Sequence, residues 1–236
     1  MRLLLTRPEP EAERTAAHLR ARGHEVVVAP LLRIELLADA EIGEGPWAAI
    51  LVTSANAAAA AAHPRFAALR SLPVFAVGAR SAAAMRKAGF ADVTSADGDV
   101  RDLVRVVTER LEGGAALLYL AGAERSGDLA GSLAAHGFAV RMSVVYRAVK
   151  VGSLPGSAVA ALSGGIDGVL HFSRRSAEAY VDAVRAAGLS AAGLTKPAHF
   201  CLSAQAAEPL VQAGVADLRI APQPTEASLI GLIPSA

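Results

Sequence analysis

The chain repeats itself. LLLTRPEPEAERTAAHLRARGHEVVVAPLLR, from Leu3 to Arg33, lies over LLYLAGAERSGDLAGSLAAHGFAVRMSVVYR, from Leu117 to Arg147, at a constant offset of 114 that also brings Gly23 onto Gly137. ILVTSANAAAA, from Ile50, then matches VLHFSRRSAEA, from Val169, and AGFADV at Ala88 matches AGVADL at Ala213. A repeat of supersecondary units over this length implies two similar halves.

Each copy has the same grammar: a short aliphatic run followed by an Ala/Arg/Glu stretch of helical length. Leu3-Leu4-Leu5 leads into a helix expected from Glu9 to Arg22, closed by Gly23, and then the run Glu25-Val26-Val27-Val28. Ala49 to Val52 precedes an alanine helix, and Val74 to Val77 precedes a helix from Ser81 to Lys87 capped at Gly89. The pattern returns at Ala116 to Leu120, at Gly168 to Phe172 and at Phe200 to Leu202. Strands without polar alternation, each followed by a helix, are the mark of parallel strands buried on both faces in right-handed βαβ units. The expected class is α/β, with two similar parallel-sheet domains. Their boundaries are open to two readings. Leu31 to Leu37 and Val144 to Lys150 are extended segments at equivalent places. If they are linker strands, 38–143 forms one domain, and 1–33 with 150–236 forms a discontinuous other. Two sequential domains would give the same repeat.

Composition removes several classes of function. Of the 236 residues, 53% are hydrophobic and 19% charged, which excludes a disordered or polyelectrolyte chain. Lys plus Arg is 23 against 22 Asp plus Glu, so the net charge of +1 gives no bulk attraction for nucleic acid, and an anionic ligand must be held by local groups. A single cysteine, Cys201, excludes an internal disulfide framework and a multi-cysteine metal site. The apolar run at the N-terminus is short for a signal peptide, and AILVTSANAAAAAA is broken by polar residues, so a soluble cytoplasmic protein is expected.

No nucleophile–base set stands out. The six histidines are scattered; His18, His63 and His136 are expected at the surface, and His171 inside a packed strand. GxSxG, GxGxxG and Walker patterns are absent. What recurs is a strand, a short polar turn and a helix. The turns are Thr6-Arg7-Pro8, Thr53-Ser54-Ala55-Asn56, Val77-Gly78-Ala79-Arg80-Ser81, Ala121-Gly122-Ala123-Glu124-Arg125, Ser173-Arg174-Arg175-Ser176 and Leu202-Ser203-Ala204-Gln205. All are expected at carboxyl ends of parallel strands, where open α/β sheets bind ligands. Each offers backbone N–H groups at a helix start, a cradle for carboxylate or phosphate. Singly, such turns are helix caps; six of them, carrying Arg7, Arg80, Arg125, Arg174 and Arg175, suit a large polyanionic ligand.

The series LLLTRP, ILVTSANA, FAVGARSAAAMRKAGF, LAGAERSGDLAGSLAAHGFAVRMSVVYRA, GVLHFSRRSAEAY and AGVADLRIAPQPTEASLI resembles the uroporphyrinogen-III synthase family over nearly the whole chain and in the family's order. The resemblance implies two α/β domains joined by a two-stranded linker, with an active-site cleft between them, and so selects the discontinuous division. It implies a lyase that cyclises hydroxymethylbilane to uroporphyrinogen III, inverting ring D through a spirocyclic intermediate and losing water. No cofactor and no metal are implied. The implied partners are the small-molecule substrate and transient contact with the upstream bilane-forming enzyme, for a monomer that binds neither nucleic acid nor membrane. Tyr146 matches the family's tyrosine at the end of the linker strand and is the candidate hydroxyl donor to the leaving group; Tyr119 and Tyr180 are expected to be structural. Substrate contacts are expected from Thr6, Arg7, Thr53, Ser54, Asn56, Gly78, Arg80, Ser81, Gly122, Arg125, Ser173, Arg174 and Ser203. Around Ser203-Ala204-Gln205-Ala206 the chain departs from the family's glycine, often followed by threonine, so any hydroxyl contact there moves to Ser203. The alternative is a non-catalytic two-lobed domain that binds an anionic ligand or regulates.

Overall fold

The computed structural model describes residues 1–125 and 127–234. In chain order the elements are β1 (Arg2–Leu5), α1 (Glu11–Ala21), β2 (Glu25–Val28), β3 (Leu32–Leu36), β4 (Ala49–Val52), α2 (Asn56–Ala61), β5 (Val74–Ala76), α3 (Ala79–Lys87), β6 (Val93–Ser95) and α4 (Val100–Arg110). There follow β7 (Ala116–Gly122), α5 (Leu129–Ala134), β8 (Ala139–Lys150), α6 (Gly156–Gly164), β9 (Gly168–His171), α7 (Arg174–Ala186), β10 (Ala198–Cys201), α8 (Ala204–Gln212), β11 (Leu218–Ile220) and α9 (Glu226–Gly231). The chain divides into two compact units, 1–33 with 149–236, and 34–148.

The first unit is built on a five-stranded sheet of order β11-β10-β9-β1-β2, in which every pairing is parallel. The second is built on a six-stranded sheet of order β3-β8-β7-β4-β5-β6, parallel from β8 to β6. Superposing the repeat puts β1 on β7, β2 on β8, β9 on β4, β10 on β5 and β11 on β6. The two sheets then have one spatial order, and the units differ in which strand comes first along the chain. That order is the 2-1-3-4-5 arrangement of doubly wound sheets, whose winding reverses between β1 and β9 in one unit and between β7 and β4 in the other.

The lack of alternation in the sequence has its cause in these layers. β4, β9 and β10 are buried at every position. In β1, Leu3 and Leu5 face one apolar layer with Ala12, Ala16 and Leu19 of α1, while Leu4 faces the other with Tyr180 and Val184 of α7. The repeat-equivalent residues of β7 divide the same way, Leu117 and Tyr119 to one side and Leu118 to the other. Burying one such leucine contributes roughly 2 kcal/mol, so both faces of each sheet are committed to packing. Ligand chemistry is left to the strand ends.

Local boundaries differ from the expectation by a residue or two. The first helix spans Glu11–Ala21 rather than 9–22, and the alanine helix stops at Ala61, before a 3-10 turn at Pro64–Leu69 whose proline cannot continue an α-helix. The segment expected as a separate linker from Val144 is the second half of one long strand, β8, which pairs with β7 through Gly122 and also lies beside β3. His171 is fully buried, and His18, His63 and His136 are exposed, as their positions suggested.

Candidate active site

At the winding reversal of the second unit the sheet opens a polar cavity of about 300 Å3. Five elements build it. The turn after β4 supplies Thr53 and Ser54, the loop after β7 supplies Glu124 and Arg125, and β8 supplies Tyr146. Val77, after β5, and Asp99 with Val100, at the start of α4, complete the wall. Adjacent strands that send their helices to opposite faces leave this gap for reasons of connectivity, whatever their sequence.

Tyr146 is placed by a fault in the strand register. The β7–β8 ladder runs evenly from Ala116 opposite Ala139 to Ala121 opposite Val144, then skips so that Gly122 faces Tyr146, and the ladder is prolonged by the bond from Ala123 N to Tyr146 O at 2.9 Å. The bulge turns the phenol over the glycine. A Cβ on Gly122 would sit 2.6 Å from Cζ of Tyr146 and 2.7 Å from its hydroxyl oxygen, closer than carbon atoms approach, so only glycine fits beneath the ring. Burial pushes the pKa of the Tyr146 phenol up; a hydrogen bond with Ser54 opposes this, and Tyr119 and the negative charge of Glu124 add to the rise. The group is therefore a neutral phenol at physiological pH, able to donate a hydrogen bond.

The remaining groups are fixed by short local bonds. Thr53 Oγ1 and the Tyr119 hydroxyl are 2.8 Å apart. Tyr119 stands where the first unit has Leu5, so the same inward position carries an added hydroxyl that grips the turn after β4. Ser54 Oγ accepts from Asn56 N at 3.2 Å, pinning the start of α2. Arg125 Nη1 donates to the Gly122 and Ala123 carbonyls at 3.2 and 3.4 Å, folding the guanidinium back over its own loop. Asp99 is the N-cap of α4, accepting from Arg101 N and Asp102 N at 2.7 and 3.3 Å.

Of the expected contact residues, Thr53, Ser54, Arg125 and Tyr146 thus line one cavity, with Gly122 beneath the tyrosine. Asn56, Gly78, Arg80 and Ser81 lie on neighbouring turns of the same sheet edge without lining it. Gly78 caps α3 in an extended conformation, Arg80 is exposed, and Ser81 is buried under the helix start.

In the first unit the equivalent turns are occupied by the protein itself. Thr6 is fully buried and its hydroxyl donates to the Leu170 carbonyl at 3.1 Å, so the expected ligand contact is replaced by a strand-to-strand tie. Arg7 also departs from the expectation of a ligand-facing cation. Its Nη1 lies 3.0 Å from Thr15 Oγ1 and from Glu226 Oε2, its guanidinium covers the Phe172 ring at 4.1 Å, and desolvation lowers its pKa despite the carboxylate. Ser173 and Ser203 serve as N-caps, accepting from Ser176 N and Ala206 N, each at 3.2 Å. Arg174 bridges Glu178 and Glu208 at 3.0 and 2.7 Å.

Sequence reasoning did not single out Glu124 or Asp99. Glu124 sits inside the quoted turn Ala121 to Arg125, but an acidic side chain is a poor choice for a ligand expected to be an anion. Asp99 was legible as a cap three residues before Asp102, and its cavity position depends on the fold. Among the described residues, no three His, Cys, Asp or Glu side chains gather as metal ligands.

Residues 13–231 match a family model described as uroporphyrinogen-III synthase HemD. The fold is similar to that of a uroporphyrinogen-III synthetase from Helicobacter pylori, at 17% identity and a TM-score of 0.64, covering 98% of both chains. It is also similar to a mutant uroporphyrinogen III synthase from the extremely thermophilic bacterium Thermus thermophilus, at 17% identity and a TM-score of 0.51, covering 98% of this chain and 97% of that one. No curated protein sequence matches this chain significantly.

Proposed function

Because the chain belongs to the uroporphyrinogen-III synthase family, we propose that it closes the linear tetrapyrrole hydroxymethylbilane to uroporphyrinogen III, inverting the terminal ring and releasing one water. The observation that carries this reading is the neutral, buried phenol of Tyr146, clamped over Gly122 in a cavity at the winding reversal of its sheet.

The chemistry asks for little acid strength and much positioning. Hydroxymethylbilane loses its hydroxyl unaided and then closes without inversion, so the protein must favour one of two attacks by the same ring. The Tyr146 phenol donates its proton to the departing hydroxyl; the C–O bond breaks, its electron pair leaves with the oxygen as water, and an azafulvenium cation remains. The already substituted carbon of the last ring attacks first and forms a spirocycle. This fragments and recloses through the other carbon, and the proton lost as that ring regains aromaticity restores the phenol. The conversion neither gains nor loses electrons and needs no redox cofactor; loss of water makes it a lyase reaction.

The turns supply the holding. Backbone N–H groups and the hydroxyls of Thr53 and Ser54 meet carboxylates of the bilane near the reacting end, and Asn56, Gly78, Arg80 and Ser81 extend that edge. In the first unit the N-termini of α7 and α8, capped by Ser173 and Ser203, carry N–H groups of the same kind, suited to carboxylates. The reading includes a monomer acting in the cytoplasm and receiving bilane through transient contact with the enzyme that forms it, because the substrate closes spontaneously if it waits. No helix among the described residues is long and apolar enough to cross a membrane.

An isomer assay tests the proposal. Hydroxymethylbilane is generated in situ, the protein is added, and the oxidised porphyrins are resolved by chromatography. The expected result is dominant type III. Type I alone, at the rate seen without protein, would leave a non-catalytic domain that shares the family's fold.

A further inference from the structure

The loop after β7 puts a negative charge into the site of an octa-anionic substrate. Glu124 lines the cavity with Tyr146, Thr53, Ser54 and Arg125. Its Oε2 accepts from Ala148 N at 3.3 Å, two residues beyond Tyr146 on β8, so the strand that carries the phenol also anchors the carboxylate. The second acid of the cavity, Asp99, is differently committed: its Oδ1 takes both N–H groups of the α4 cap. A carboxylate at Glu124 repels a bound bilane before reaction and so weakens ground-state binding. Such a group assists only if positive charge develops beside it.

The reaction proposed above creates that charge. When the hydroxyl leaves as water, the pyrrole that bore the hydroxymethyl group, at the opposite end of the chain from the ring that inverts, becomes an azafulvenium cation, with its charge shared between the exocyclic carbon and the ring nitrogen. We propose that Glu124 is the counter-charge of this cation, a further catalytic residue that stabilises the charged intermediate beside the phenol; the inference rests on the reading of the chain as the bilane cyclase. The two side chains then divide the step. Tyr146 supplies the proton that leaves with water, and Glu124 lowers the energy of the cation left behind, with no bond made or broken at the carboxylate. Holding the cation at this end also lengthens the time in which the substituted ring carbon can reach it.

Steady-state kinetics of Glu124→Gln and Glu124→Ala, with type I and type III products resolved and each variant's Tm recorded, test the inference. The expected result is a fall in kcat for type III of about tenfold or more, with KM unchanged or lower, because the repulsion of the bound anion is relieved as the cation loses its partner. Glu124→Asp, which keeps the charge, is expected to recover most of the rate. An unchanged kcat in both neutral variants, a rise in KM alone, or a rate loss in Glu124→Asp equal to that in Glu124→Gln would overturn it. If the unaltered protein itself gives only type I, the reading of the function fails and the role of Glu124 falls with it. If the unaltered protein gives type III and the neutral variants match it, the function stands and the counter-charge is wrong.

Discussion

Tyr146 owes its position to a missing side chain. The phenol occupies the volume that a Cβ on Gly122 would need, 2.6 Å from the ring. Gly122→Ala is therefore expected to push the ring out of the cavity and to lower stability by about 1–3 kcal/mol, the usual cost of overpacking. Tyr146→Phe keeps the ring and removes only the proton donor. It is expected to leave the Tm within a few degrees while type III turnover falls about a hundredfold. Turnover and isomer ratio measured on both variants check this. Unchanged values in Tyr146→Phe would remove the phenol from the mechanism. Tyr146 itself was legible, because it lies within the VVYRA stretch that the resemblance picks out. The role of Gly122 beneath it was not, because the register skip that brings the two together is a property of paired strands. Tyr119, expected to be structural, packs its ring in the core and yet reaches Thr53 with its hydroxyl.

At the scale of elements, one strand–turn–helix pattern serves two purposes. In the second unit the turn after β4 leaves Thr53 and Ser54 facing a cavity. In the first unit Thr6 and Arg7 are spent on Leu170, Thr15, Phe172 and Glu226. Sequence alone gives both turns the same reading, since a Ser, Thr or Arg after a strand suits a cap and a ligand equally. Only the partners supplied by distant elements separate them; Glu226 lies 219 positions from Arg7 along the chain. Ser203 is the sharpest case, standing in the turn that departs from the family pattern while its hydroxyl caps α8. Ser203→Ala is expected to cost about 1 kcal/mol of stability, the ordinary worth of an N-cap, with kcat/KM for type III unchanged. Urea titration beside the isomer assay separates the outcomes, because a raised KM at unchanged stability would make the hydroxyl a substrate contact.

At the scale of the whole molecule, stability depends on a pair of histidines in the first unit. His171 and His199 stand fully buried on neighbouring strands, with Nε2 of one 3.0 Å from Nδ1 of the other, and the Tyr180 ring packs edgewise on both. Burial holds His171 far below the usual histidine range and pushes His199 down to about 4, with the backbone near Gly193 and the charge of Asp217 opposing the latter. The folded state thus keeps the pair neutral while the unfolded chain takes up protons near pH 6.5. Stability is full above that pH and declines as pH falls from about 6.5 towards 4, by about 3 kcal/mol for His199 alone. Urea unfolding at pH 7 and pH 5 is expected to show most of this loss, and His199→Gln to reduce it to the share of His171; equal stability of the unaltered protein at both pH values would refute it. The sequence by itself determined the α/β class, the duplication and the strands buried on both faces, because periodicity and repeat are local properties that need no partner to be read. It also determined which turns sit at strand ends. The tertiary structure alone decided that the two sheets share one strand order, begun at different points along the chain. It decided as well that one winding reversal is open while the equivalent turns of the other unit are filled by Arg7 and its partners, and that Glu124 stands beside Tyr146. Those outcomes depend on which distant segments pair and with what register, and no local pattern encodes a contact whose two halves lie a hundred residues or more apart.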